Sequence, residues 1–538
     1  MKKLLNIFFP ALILLFSISC EQELVDNSSS PCPSDDPTII CPQAEVPACP
    51  ADASPGNANF TKFVAIGSSF TAGFQAGALF NEGQDNSLGK ILASQFSCVG
   101  GGSFNQPTIN SANGYNIFIS PNPMGATVLG RFKLQGTPPA PAPVISGADA
   151  LPNPQANPGF IYTGSAGSVP VNQLNNFGVQ AIVIGQALIP QTGNWALAGT
   201  DPRFNPFYAR FASDGGMGGT TLFSDAISSL SNGGTFFLFW LGMDDVLLHA
   251  AFGGDPAKAP LTSTTDFTNQ YNFAIGNILA NPTLKGVVAN YPDLFVMPHF
   301  TAVPWNAIPL DAAKAETLTT NLAINYNAFL DGMVAAQKIT AEEAALRKLT
   351  YVAGQNGILL KDETLTDLTS FMQGPYAGLQ PYARARQTKA TDIVPLSAGN
   401  ILGKEIAPNQ VWGVSVPVDD QYIIIPSESE AINSSLAAFN AVIKAVADAH
   451  PDRLAFADVN LGMKNLVTAK AGIANGVTIT PNINPPTGIY SEEGLHPNSR
   501  GYAFIANIFI DAINAKFSAT IPRAKLSNYS ATSLPINP

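Results

Sequence analysis

The chain has 538 residues, enough for two to four domains or for a single enlarged α/β domain. Only 12% of the residues are charged, about half the usual share, while 46 Gly and 43 Pro point to a loop-rich exported protein. The formal net charge is −11 and there is no Lys/Arg cluster beyond the first three residues, which excludes the electrostatic footprint of a nucleic-acid binder.

Met1 to Cys20 carries two lysines, an apolar run from Ile7 to Phe16 and then Ser17-Ile18-Ser19-Cys20. The apolar run is too short to span a bilayer and small residues precede the cut, as in a signal peptide. Its ending resembles a bacterial lipobox, although Ser17 stands where that pattern usually has Leu. The resemblance implies a lipoprotein signal peptide over 1–19, lipid on the thiol and N-terminus of Cys20, and attachment to a membrane. Acyl chains hold firmly, since each buried CH₂ contributes about 0.8 kcal/mol. Glu21-Gln22-Glu23 has no Asp directly after the cysteine, which by resemblance to sorting rules indicates the outer membrane.

Residues 20–58 read as a tether of acidic, Ser and Asn residues with little apolar periodicity. They hold Cys32, Cys41 and Cys49, each followed by Pro. With Cys98 these make four cysteines in an oxidising compartment, so two disulfides are expected in one of three pairings. No C-x₂₋₄-C pair exists and no His is near, so no metal site is expected.

Phe63 to Ile66 is a short apolar run that reads as a buried parallel strand, broken by Gly67-Ser68-Ser69 before Thr71-Ala72-Gly73 opens a helix. A serine at that place, past the carboxyl end of a central strand, faces the crevice where open α/β sheets bind ligands, which makes Ser69 the candidate nucleophile. Asn86 to Phe96 has helical spacing. Gly100 to about Val171 is a long Gly/Asn/Pro-rich insertion. Asn175-Asn176-Phe177-Gly178-Val179 leads into an apolar segment to Leu188, Phe223 to Leu230 is a helix, and Thr235 to Leu241 is a strongly apolar strand ending in Gly242-Met243-Asp244-Asp245. A helix over Thr265–Leu279, a strand from Gly286 to Ala289 and a long helix over Asp311–Gln337 follow, with a capping box at Thr340–Glu343. Leu349 to Tyr422 reads as a second insertion. Another capping box, Ser427–Glu430, opens a helix to about Asp448; then come a strand at Leu454–Val459, the loop Tyr490–Asn498, a helix over Tyr502–Phe517 and a tail over 518–538. Strands alternating with helices predict βαβ units and a parallel sheet.

A serine hydroxyl needs an imidazole within hydrogen-bond reach and a third group to fix the ring's tautomer. The chain has four histidines. His450 ends a helix, where the C-terminal dipole accounts for it, and His249 and His299 lie in apolar surroundings as core or cleft histidines. His496 differs because Glu493 precedes it by three residues, with Gly494 between to turn the carboxylate back on the ring.

The ordered set GSSFT, NFG, GMDD and EGLHPN resembles the four blocks of the SGNH hydrolases, also called GDSL esterases and lipases, which carry Ser, Gly, Asn and His. The likeness runs from Phe63 to about Ile510 through short matched segments. It implies a flavodoxin-like α/β/α three-layer sandwich with a central parallel sheet over 59–517, interrupted by insertions at about 100–171 and 349–422, and hydrolysis of an ester substrate without a cofactor. Carried residue by residue, Ser69 is the nucleophile, His496 the general base and Glu493 the acid that orients it. The amides of Ser69 and Gly178 and the side chain of Asp244 face the oxyanion.

Three positions depart from the family pattern: Ser68 and Glu493 each replace an Asp, and Asp244 replaces an Asn. Asn donates to an oxyanion, whereas an ionised Asp only accepts. Losing one such donor costs about 2.7–4 kcal/mol, though a protonated Asp244 in a dry pocket still donates. The expected function is therefore a lipid-anchored serine esterase or lipase acting on a lipid, an acetylated glycan or a small ester. The alternative is a surface lipoprotein of the same fold that binds glycan or lipid without turnover.

Overall fold

Five short apolar runs pair into one all-parallel sheet: β1 (Phe63–Gly67), β2 (Asn176–Gly178), β3 (Phe236–Trp240), β4 (Lys285–Ala289) and β5 (Leu454–Ala457), in the order β2-β1-β3-β4-β5. The computed structural model describes residues 49–532 apart from 117–127, 136–139, 147–154, 156, 166 and 475. The expectations for the signal peptide, Cys20, Cys32, Cys41 and most of the tether lie outside the described residues. Every residue of β1 and β3 is buried, as a parallel sheet covered on both faces requires. In register, Gly67 of β1 lies opposite Gly178 of β2 on one side and Trp240 of β3 on the other. Strand order reverses at β1, which makes its carboxyl end the switch point where open α/β sheets take ligands.

The single turn α1 (Ser69–Ala72) is followed, among the described residues, by ten α-helices of seven residues or more: α2 (Leu88–Phe96), α3 (Leu222–Ser231), α4 (Asp244–Ala251), α5 (Thr264–Leu279), α6 (Ala312–Leu318), α7 (Ile324–Ala335), α8 (Ala341–Arg347), α9 (Pro426–Ala449), α10 (Val459–Ala469) and α11 (Ser499–Phe517). α2 and α10 pack on α11, which lies against β4 and β5, while α3 and α9 pack on α5. The sheet is thus flanked by helices. Side chains just before the helices satisfy their first free amides: Thr221 Oγ1 accepts from Ser224 N at 2.9 Å and Asn498 Oδ1 from Gly501 N at 3.0 Å. At the opposite end of β1 from Ser69, the rings of Phe60 and Phe96 stack with centroids 4.4 Å apart, and Phe236 meets both.

Several elements depart from the expectations. α1 is a single turn, stopped by Gly73 in the left-handed region at φ 79°. The long helix expected over 311–337 is interrupted by a π-helical stretch, Thr319–Ala323, between α6 and α7. The helix expected from a capping box at Ser427 starts earlier: Pro426 is its first residue and Glu428 Oε2 accepts from Ile425 N at 2.8 Å, so only the glutamate half of a box is present. The second insertion has a hydrophobic core of its own that runs from Ile308 to Ile425 and takes in α6, α7 and α8, so it begins well before Leu349. Within the first insertion, Leu129–Gln135 pairs with Ala140–Ile145 as an antiparallel hairpin. Of the cysteines, Cys49 and Cys98 form a disulfide. Among the described residues no helix is long and apolar enough to cross a membrane.

The inserted core is held by a buried ion cluster. Arg386 Nη1 and Nη2 reach the two oxygens of Asp392 at 2.6 and 2.8 Å, and its Nε reaches Asp362 at 2.5 Å. Removing the cation leaves two buried carboxylates facing each other, which costs about 3–5 kcal/mol. Arg386→Ala is expected to speed hydrogen exchange across 308–425 well beyond any change in β1 to β5, and equal protection in the two regions would contradict this.

Candidate active site

The site is assembled from the carboxyl ends of three adjacent strands and one loop near the end of the chain. Ser69 is the first residue of α1, two positions past β1, and it is 2% exposed. Asp244 opens α4, four positions past β3. Gly178 ends β2, and a Cβ there would lie 2.3 Å from the amide nitrogen of Ala72, so only glycine lets α1 approach this closely.

His496 reaches this edge from the loop between Tyr490 and Asn498. Its Nε2 lies 2.8 Å from Ser69 Oγ, and its Nδ1 lies 2.8 Å from Glu493 Oε1, which also accepts from the His496 amide at 3.0 Å. Gly494 at φ 73° makes the turn that brings carboxylate and imidazole together; a Cβ there would lie 2.7 Å from the His299 amide nitrogen. The imidazole is 7% exposed and touched by two rings from the segment that carries Ser69, Phe70 at 5.0 Å and Phe74 at 4.9 Å between centroids. These rings keep water from competing for its nitrogens.

Electrostatics fix the proton positions. Burial pushes the Glu493 carboxyl up, but the hydrogen bond and charge of His496, together with the hydrogen bond from Ser491, outweigh it and hold the group below its usual range. Glu493 is therefore ionised at neutral pH, Nδ1 of His496 carries the proton it donates, and Nε2 is left to accept from Ser69. A hydroxyl, a basic nitrogen and an orienting carboxylate stand in the order that activates a nucleophile.

The oxyanion side is less regular. No hydrogen bond to the Ser69 amide is found among the described residues. The Gly178 amide, by contrast, donates to Asn176 Oδ1 at 2.9 Å, so it is not a free donor and the role expected of it requires that bond to open or be shared. Asp244 is fully buried, which pushes its carboxyl up to about 7, against the Ile182 amide that donates to Oδ2 at 3.1 Å. Near neutral pH a large fraction of Asp244 is thus protonated, with a hydroxyl to donate. Burial likewise pushes Asp245 up to about 7; its Oδ2 takes the Ile184 amide at 2.8 Å.

The other histidines play different parts. His249 Nδ1 lies 2.7 Å from the Ala259 carbonyl, which satisfies it inside α4. His299 packs on the same loop as the triad: its Nδ1 donates to the Glu493 carbonyl at 3.0 Å, and burial lowers it to about 4, so it is neutral. Ser491, whose hydroxyl lies 2.7 Å from Glu493 Oε2, was given no role by the sequence reading; its only signal there is its place two residues before Glu493. One group of three carboxylates, Glu363, Asp420 and Glu428, has ligand atoms within 4.8 Å of one another among the described residues. Asp420 and Glu363 line a cavity of about 640 Å³ together with Asp255 and Lys361, and no triad residue borders it. No protein-family model matches the chain, and no curated protein matches it significantly.

Asp244 gives a signed pH test. Its folded value lies above the ordinary 3.8, so the stability its protonated form provides is complete below about pH 4 and lost as pH rises through about 7. Asp244→Asn keeps the shape and removes the titration. The variant is expected to be more stable than wild type at pH 8, on the order of 2–4 kcal/mol, with the gap closing below pH 5; urea midpoints at both pH values measure it.

Proposed function

We propose that the chain is a serine ester hydrolase of SGNH type, anchored to the outer membrane through lipid on Cys20. The observation that carries the reading is the 2.8 Å contact between Ser69 Oγ and His496 Nε2, two residues 427 positions apart in the sequence. Support also comes from the strand order β2-β1-β3-β4-β5, which is the flavodoxin-like doubly wound order with its ligand crevice at the β1/β3 switch point.

In the proposed reaction His496 Nε2 takes the Ser69 proton as Oγ attacks the ester carbonyl, while Glu493 stabilises the imidazolium. The tetrahedral oxyanion is met by the Ser69 amide and by the protonated carboxyl of Asp244. Collapse passes the proton from His496 to the leaving alcohol and leaves an acyl-Ser69. Water, activated by the same imidazole, then releases the acid and restores Ser69. Because this cycle needs a protonated Asp244 to meet the oxyanion, the rate falls as Asp244 ionises near pH 7.

A second reading, a binding lipoprotein of the same fold without turnover, is favoured by one observation: the engaged Gly178 amide leaves fewer ready oxyanion donors than a fast hydrolase uses. A fluorophosphonate probe separates the two. The hydrolase reading expects covalent labelling of the folded wild type at Ser69, none of Ser69→Ala, and turnover of a short p-nitrophenyl ester that falls at least a hundredfold in His496→Ala. Asp244→Asn should hydrolyse that ester at an equal or higher rate and keep its activity above pH 7, where wild type declines. Unlabelled wild type with native secondary structure would leave the binding role.

A further inference from the structure

The loop carrying Glu493 and His496 is fastened to the segment after the nucleophile by one serine hydroxyl. Ser491 is fully buried, and its Oγ accepts from the Ala76 amide at 2.9 Å while lying 2.7 Å from Glu493 Oε2 and 2.9 Å from the His496 carbonyl. A hydroxyl has one proton to give. The His496 carbonyl already takes the Ser491 amide at 2.8 Å, and a carboxylate is the stronger acceptor, so the proton goes to Glu493.

Ala76 in turn is pinned on both sides. It sits in the left-handed region at φ 52°, and its carbonyl accepts from the Phe132 amide of the hairpin at 2.7 Å. The Phe132 ring covers Gly77, where a Cβ would lie 2.4 Å from the ring. A continuous path therefore runs from the hairpin of the first insertion through Ala76 and Ser491 to the oxygen of Glu493 that His496 does not use.

We propose that Ser491 is a positioning residue for Glu493, holding its carboxylate in the plane of the His496 ring and tying that orientation to the seat of the 129–145 hairpin. The inference rests on the hydrolase reading. With Oε1 shared by the imidazole and the His496 amide, Oε2 has no other side-chain donor among the described residues. Without the hydroxyl the carboxylate is free to swing about its last bond, and its negative charge loses one donor.

The consequence for pH has a definite sign. A Glu493–His496 pair whose anion has lost a donor binds a proton more readily, whichever of the two groups receives it, so the acid limb of the rate profile moves to higher pH. The other groups facing Glu493 are untouched by a change at Ser491. They are Glu492 alongside, which itself faces Arg131 and Lys133 of the hairpin, His299 from the helical turn Pro298–Thr301, and the Tyr502 ring from α11.

The test measures the rate of fluorophosphonate labelling of Ser69 against pH in the full chain, with thermal unfolding of each variant recorded beside it. Ser491→Ala should label roughly tenfold more slowly, with its acid limb raised by about half a unit to one unit. Ser491→Thr, which keeps the hydroxyl, should stay within about threefold of wild type on an unmoved limb. If the alanine variant unfolds early, Ser491→Cys keeps the volume with a much weaker donor and should show the same slowing and shift. Wild-type rate and limb in a folded Ser491→Ala or Ser491→Cys would overturn the positioning role while leaving the hydrolase reading intact. No labelling of wild type would overturn that reading, and this inference with it.

Discussion

The geometry of the candidate site depends on one hydrogen bond, between Ser69 and His496, that the chain closes over almost its whole folded length, from the turn after the first strand to the loop before the last long helix. Such a contact survives only if both ends are held independently of it, because a single hydrogen bond contributes about 1 kcal/mol net. Several ties do this. The Tyr502 hydroxyl donates to the Phe74 carbonyl, and Gln75 Nε2 reaches Ser499 Oγ at 3.4 Å, so the first turn of α11 is bonded to the segment after α1. Phe70 and Phe74 then enclose the imidazole from the serine side. The segment that carries Ser69 builds the pocket of the His496 ring.

The same edge of the sheet concentrates buried acid. Asp244 and Asp245 open α4, where a negative charge is favoured by the helix amides, yet both are sealed from water and neither is paired with a cation among the described residues. The isoleucine amides of the loop after β2 supply one donor each, which is too little to keep two adjacent carboxylates fully ionised. Glu493 differs because an imidazole and a hydroxyl face it. Burial is shared by all three acids, and the difference in partners holds Glu493 below its usual range and Asp244 and Asp245 above theirs.

How much of this was legible in the sequence depended on whether the signal was local. The run FVAIG before a Gly-Ser turn, the block TFFLFWL and the pair Glu493/His496 three residues apart each carry their structure in their own spacing, and β1, β3 and the Glu493–His496 contact follow from them. The caps Thr221 and Asn498 start their helices at Leu222 and Ser499, one and three residues before the starts expected at Phe223 and Tyr502. What failed was set by packing from elsewhere. The π-helical stretch at Thr319–Ala323 leaves no break in apolar periodicity, and the start of the second core at Ile308 is marked by neighbours distant in sequence. The oxyanion role of the Gly178 amide comes with the likeness of the NFG block, whereas the direction of that amide is decided by the Asn176 side chain two residues back. Ser491 matters through Ala76, which lies 415 positions away.

The bond between Cys49 and Cys98 closes residues 50–97 into a covalent ring. A mechanical load entering the domain along the backbone from residue 48 passes across the sulfur bridge to the end of α2 and onward through the chain. The ring itself cannot be drawn out while the bridge is intact. The turn that presents Ser69 lies within that ring, sheltered from tension at the amino-terminal side of the chain.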